Sequence, residues 1–416
     1  MIAPETVAAA APPGGTRVRH LTTELRRIPA LGAIIAVLLG LTMSWVMWND
    51  QRPLTFPDTM HYYQQSLRFT GESGDLSGKA MDFVCGDFRA SQDMSHADKQ
   101  DCRDYVGGSW RFPDPYNAIF TARPLYPLLA APFLKVFGPP GFALCTLLIA
   151  AACGVAMYAA ARAMGMSKAH ALLAEFVFFI LPTGYWCTRM LSEGTAVLGI
   201  LIALVGAAKA LRGGDKYLGV ALTAFGLLWA LLARSSSGQA AVAGLTAGAL
   251  ITAVVVAGAT RRRALALAAV SAATGAGHLV VSAVLGLPGL KDSLHDFYGR
   301  HFQEPMPPDV YERLLRGNRT FWSDWMHALP VWNMGSGLAL IGLAGVAMAL
   351  RRLSAVWLAV AASAALPLAL HPAMGDADRI GVHFWIVVAL GIALVVRKPR
   401  NYAASQFPEA AAPSGR

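Results

Sequence analysis

Long apolar runs alternate with short polar connections along most of the chain. The runs cover roughly Ala30 to Trp48, Phe142 to Ala161, Ala169 to Trp186, Leu191 to Leu211, Tyr217 to Leu232, Gln239 to Gly258, Ala264 to Leu285, Pro330 to Leu350, Leu353 to Leu370 and Ile380 to Val396. About twenty apolar residues cross the hydrocarbon layer as a helix. Lipid offers no partner to free backbone groups, and the alternating pattern of a barrel strand is missing, so each run reads as a helix. The pattern predicts an all-α polytopic membrane protein of about ten transmembrane helices.

Composition agrees, with 55% hydrophobic and only 14% charged residues. The formal net charge of +10 changes the picture through its placement. Arg17, Arg19, Arg26 and Arg27 precede the first run, and Arg162 with Lys168, Lys209 with Arg212 and Lys216, Arg261 to Arg263, Arg351 with Arg352, and Arg397 with Lys398 and Arg400 fill alternate connections. By the positive-inside rule that side is the cytosol, so the charge is a topology device and implies no nucleic-acid partner. The expectation is a multi-pass protein of the cytoplasmic membrane with both termini in the cytosol. Residues 1–29 and 398–416 read as disordered tails around a membrane domain over 30–397.

Two connections on the opposite side hold most of the remaining polar residues, a first outer loop over 49–137 and a second over 286–329. Loops of such length usually carry function. The first opens with a short amphipathic helix over Phe56 to Arg68, started by Pro57, and closes with an apolar, proline-broken segment from Ala122 to Phe133 that reads as interfacial or re-entrant.

Three features in this order carry a family resemblance. Asp58 lies just past the first helix with Tyr62 and Tyr63 behind it, and Arg123-Pro124-Leu125-Tyr126-Pro127 ends the first loop. The segment Leu181 to Glu193 then places a proline ahead of a Ser-Glu pair that enters the next helix. In architecture this resembles the GT-C superfamily of membrane glycosyltransferases, over about Leu31 to Val396. Many members carry Asp-Glu where this chain has Asp58-Thr59. The resemblance implies transfer of a sugar from a polyprenyl-phosphate donor to an acceptor at the outer membrane face, with Asp58 as general base. Its partners would be that donor and membrane lipids, and it names no cofactor and no resident metal.

The chemistry points to similar residues. Sugar transfer to a hydroxyl needs a carboxylate to take the acceptor's proton and a cationic site for the departing phosphate. Both must lie at the bilayer surface, where the predicted topology puts Asp58, Arg123, Arg189, Arg234, His371, Arg379 and His383. Plainer readings stand beside these. Asp58 after Pro57 could be an ordinary helix cap. Arg189 and Glu193 are spaced to neutralise each other on one helix face, against the alternative that the arginine meets a lipid phosphate and Glu193 orients it. Arg234 breaks the positive-inside pattern and calls for an anion, either a lipid headgroup or a donor phosphate.

Glu175 reads as a structural acid, and Trp322, Trp325 and Trp332 as an aromatic belt. His295, His301 and His327 read as surface or interfacial residues, and His371, Asp376 and His383 have no recognised metal-ligand spacing. Cys85 and Cys102 share the first outer loop, where a disulfide would constrain a segment short of apolar core; two free thiols are the alternative. A transporter or flippase, or a non-catalytic envelope-assembly protein, would also fit the helix count. No internal repeat of transporter type is visible, and the polar residues gather at one face.

Overall fold

A computed structural model of the chain describes residues 30–49, 54–87, 102–103, 113–213, 215–328 and 334–396. Both predicted tails, Trp332 and the last basic cluster lie outside them. In chain order the α-helices are α1 (Leu31–Trp48), α2 (Pro57–Phe69), α3 (Leu76–Asp82), α4 (Asp114–Thr121), α5 (Leu125–Phe137), α6 (Pro139–Ala163), α7 (Lys168–Ile180), α8 (Pro182–Cys187), α9 (Glu193–Leu211), α10 (Lys216–Ala233), α11 (Ser235–Val255), α12 (Gly258–Val284), α13 (Leu290–Tyr298), α14 (Val310–Ala328), α15 (Met334–Leu350), α16 (Ser354–Ser363), α17 (Ala365–Leu370), α18 (Ala377–Ile380) and α19 (Val382–Val395). Among the described residues there is no strand.

Among the described residues seven helical stretches are long and apolar enough to cross a membrane: α1, α6, α9, α10, α11, α12 and Gly335–Leu370. An eighth is reached if Met374–Ile380 and Val382–Val395, bent by 62°, form one span. The chain is thus a multi-pass helical membrane protein. The third predicted run is not one helix, because the chain turns extended at Leu181 ahead of Pro182 and leaves α7 only 13 residues long. At 1.5 Å per residue α7 spans about 20 Å, short of the roughly 30 Å of a hydrocarbon core.

Helix packing rests on close backbone approach, since lipid gives helices no hydrophobic reason to associate. Along α9 and α10 a Cβ on Gly199 would lie 2.6 Å from Ala230 N, and one on Gly206 would lie 2.5 Å from Thr223 N. Those glycines let the hairpin close. Gly342 of α15 meets Val388 of α19, while Ser363 of α16 lies beside His383 near the start of α19. Both ends of the 335–370 stretch therefore meet the first half of one short helix, so the chain turns back on itself at Arg351–Leu353, where Arg351 has a φ of 47°.

With Glu175 as an exception, the charged residues described below sort to the two ends of the bundle. At one end Arg212 donates to the Met164 carbonyl, and Leu211, Leu350, Leu353 and Trp357 close around them. At the other end the loops over 49–137 and 286–329 pack together. His61 stacks on Phe120 with ring centroids 4.1 Å apart, Tyr116 meets His301 of the second loop at 5.0 Å, and Asn318 of α14 donates to the Ala369 carbonyl at 2.7 Å. His301 is thus exposed, as expected of a surface or interfacial residue, and it also joins the two loops. Glu175 is fully buried on α7, packed against Gly40 and Gly154.

This arrangement makes a labelling prediction. Single cysteines at Tyr217, at one end, and at Ser73 and Gln303, at the other, should react with an impermeant thiol reagent from opposite sides of the membrane. Labelling of all three from one side would overturn the two-ended bundle.

Candidate functional site

Asp58, Arg123, Glu193, Arg234 and Arg379 meet at one place, at the end of the bundle where the 49–137 and 286–329 loops pack. Pro57 opens α2, and the capping work falls to Thr59, whose hydroxyl accepts from the Phe56 N–H at 2.9 Å. Asp58 is therefore not the helix cap. Its carboxylate reaches across the bundle end and accepts from Nη2 of Arg379, which sits on α18 just before the bend into α19.

Arg379 also donates through Nε to Glu193, and the same Glu193 oxygen accepts from Nη1 of Arg234. Glu193 is fully buried in the first turn of α9, where the positive end of the helix favours a carboxylate. The chain over 189–192 is not helical, so Arg189 and Glu193 are not a turn apart on one face. Glu193 takes Arg234 and Arg379, while the guanidinium carbon of Arg189 lies 4.1 Å from the Tyr185 ring centroid. The simple local pair predicted by spacing is thus replaced by a long-range one.

Around this core sits a second set of hydrogen bonds. Ser192 looks like a cap for α9, but its hydroxyl bonds instead to the Tyr62 hydroxyl at 2.9 Å. Arg123 donates to the same Tyr62 oxygen at 3.2 Å and lies over the Phe120 ring. Tyr62 is thus the link between the end of the first loop and the start of α9. Trp186 of α8 lies 5.9 Å from the guanidinium carbon of Arg379.

Three guanidiniums, of Arg123, Arg234 and Arg379, face the two carboxylates of Asp58 and Glu193, which leaves the cluster with an excess of positive charge. Burial alone would raise the Asp58 carboxyl. The charge and hydrogen bond of Arg379 outweigh it, with help from Arg123 and His61, and hold Asp58 down at about 2. Because the folded value is lowered, the pair contributes to stability above the ordinary carboxylate range, and that contribution is lost as pH falls toward 2. Burial pushes His61 down to about 4 against the opposing pull of Asp58, so its ring is neutral near pH 7.

Two buried polar atoms in the cluster, Glu193 Oε2 and Arg234 Nε, have no hydrogen-bond partner among the described residues. Such groups are costly unless something polar meets them. The side chains of Asp58 and Arg379 are 22% and 14% exposed while Glu193 is at 0%, so the cluster opens outward at the Asp58–Arg379 side.

Two further predicted site residues, Tyr63 and His383, are packed in the core. Tyr63 is core, its ring stacked on Phe83 at 4.0 Å and edge-on to Phe142 at 5.3 Å. His383 is buried on α19 beside Ser363 at 3.4 Å, and His371 packs on Phe297. Among the described residues no three His, Cys, Asp or Glu side chains converge on a point that would hold a metal ion. Cys85 and Cys102 form a disulfide with Cα atoms 5.9 Å apart. Sequence reasoning missed Ser192 and Trp186 as neighbours of the cluster. The Ser-Glu pair and the aromatic ahead of it were in view, but their direction depends on how the 181–192 connection folds.

No family model matches the chain, and no characterised protein or solved structure is significantly similar to it.

Proposed function

We propose that the protein is a membrane glycosyltransferase that moves a sugar from a polyprenyl-phosphate donor to an acceptor at the outer face of the cytoplasmic membrane. The observation that carries this reading is the position of Arg379, shared between Asp58 and the buried Glu193 at the bundle end. A lipid phosphate has its tail in the bilayer and its charge at this level. Guanidiniums bind phosphate oxygens through paired hydrogen bonds.

In the free protein Asp58 is a weak base, because Arg379 neutralises it. A donor phosphate that draws Arg379 away would remove the main charge holding Asp58 down, and its carboxylate would gain basicity only when substrate is present. The acceptor hydroxyl then attacks the anomeric carbon and its proton passes to Asp58. The bond from that carbon to the phosphate oxygen breaks, and the electron pair leaves with the polyprenyl phosphate. Arg379, Arg234 and Arg123 stabilise the charge that develops there. Tyr62 positions Arg123. About ten membrane passes, with both termini cytosolic, would complete the topology.

The mutual satisfaction of Asp58 and Arg379 favours one other reading, a structural clasp that ties the first loop to the last outer turn. Purified protein supplied with polyprenyl-phosphate sugars and a membrane-derived acceptor fraction separates the two. Glycosyl transfer with release of polyprenyl phosphate is expected. Recovery of every donor intact would leave the clasp.

A further inference from the structure

A separate groove lies at the opposite end of the bundle from the Asp58–Glu193 cluster. Between the start of α10 and the start of α12 is a groove of about 670 Å³, lined by Lys216, Tyr217, Val220, Ala221, Arg262 and Arg263 among others. α10 carries the groove at Lys216 and the Asp58–Glu193 cluster's Arg234 at its far end, so the two sites are about 27 Å apart along its 18 residues.

The groove has two chemistries. Its mouth is cationic. Among the described residues Lys216, Arg262 and Arg263 make no ion pair with a carboxylate, and the nearest acid in sequence, Asp215, is spent on the Tyr217 and Leu218 N–H groups at 3.0 Å each. Arg262 and Arg263 also stand near the positive end of α12, which has no acidic residue in its first turn and no side-chain cap. Cations there oppose the helix field, so an anion is the missing partner. The groove wall is apolar and narrow-sided, with Val220, Ala221, Ala259 and Ala266 leaving room that larger side chains would fill. Tyr217 is 76% exposed at the rim, the position an amphipathic ring takes at a membrane–water interface.

We infer that this groove holds an anionic phospholipid, with its phosphate among Lys216, Arg262 and Arg263 and one acyl chain along Val220, Ala221 and Ala266. A free phosphate ion would match the cations and leave the apolar wall unused. A neutral phospholipid would fit the wall but carry no net charge for the cations. Basic pockets between membrane helices are suited to such headgroups. The inference stands apart from the proposed transfer reaction, because it uses none of its residues.

The test is native mass spectrometry of the full chain released from nanodiscs of equal phosphatidylglycerol and phosphatidylcholine. Retention of phosphatidylglycerol in clear excess is expected. Each charge removed at the mouth should weaken it about fivefold, so the triple variant Lys216→Gln, Arg262→Gln, Arg263→Gln should lose nearly all of it. Val220→Trp keeps every charge and sets an indole across the apolar wall where the acyl chain would lie, and it too should weaken retention of the lipid. Equal retention of the two lipids would overturn the assignment, as would a Val220→Trp protein that keeps phosphatidylglycerol undiminished. Full displacement of the lipid by millimolar inorganic phosphate would also overturn it, since the site would then be one for the ion alone.

Discussion

Asp58→Asn is expected to lower glycosyl transfer from a polyprenyl-phosphate sugar by about a hundred- to ten-thousand-fold, the usual contribution of a general base. Asparagine keeps the size of the side chain and an oxygen for Arg379, but it cannot take the acceptor's proton. The fold should survive, because Arg379 retains its bond to Glu193 and the cap of α2 is made by Thr59. Activity and thermal unfolding have to be read on the same preparation. Near-normal turnover in a stable Asp58→Asn protein would remove Asp58 from the mechanism and favour the clasp.

The largest effect on stability is expected at Glu193. Its carboxylate is the one anion that Arg234 and Arg379 share, and it is fully buried. Glu193→Gln leaves two guanidiniums facing each other with only Asp58 to offset them. Removing one partner of a buried ionic network typically costs about 3–5 kcal/mol, against about 1 kcal/mol or less for an exposed pair. For a chain of 416 residues that corresponds to a fall in melting temperature of roughly 3–6 °C. A thermal scan in detergent showing Glu193→Gln within a degree or two of wild type would mean that the cluster is hydrated and that its charges are not coupled. The double substitution of Glu193 and Arg234 by Gln and Met should recover part of the loss, because it removes an unpaired charge along with its partner.

Hydrophobic periodicity by itself determined that this is a helical membrane protein. Runs of membrane-spanning length have one reading in lipid, and most of the predicted runs are helices in the structure. It also placed the amphipathic helix that starts at Pro57, because proline is favourable at a first helical position and costly in a helix interior. The basic clusters between Arg162 and Arg352 named connections that share an end of the bundle, while the first and last clusters lie outside the described residues. The break at Leu181 was less legible, since Pro182 sits within an apolar run and only the fold shows α7 ending ahead of it.

Tertiary structure alone decided the partners. Asp58 and Arg379 are separated by 321 residues and Glu193 and Arg379 by 186, so no spacing rule links them. Spacing instead offered Arg189 to Glu193, a pairing that holds only if the residues between them are helical, and they are not. Likewise Asp58 could not be separated from a cap until Thr59 was seen to do that work, and Tyr62 could not be told from Tyr63 until one ring met Ser192 and the other met Phe83. The physical reason is common to all four. A run's hydropathy is fixed by its own residues and its solvent, whereas the partner of a charged side chain is fixed by where distant helices cross.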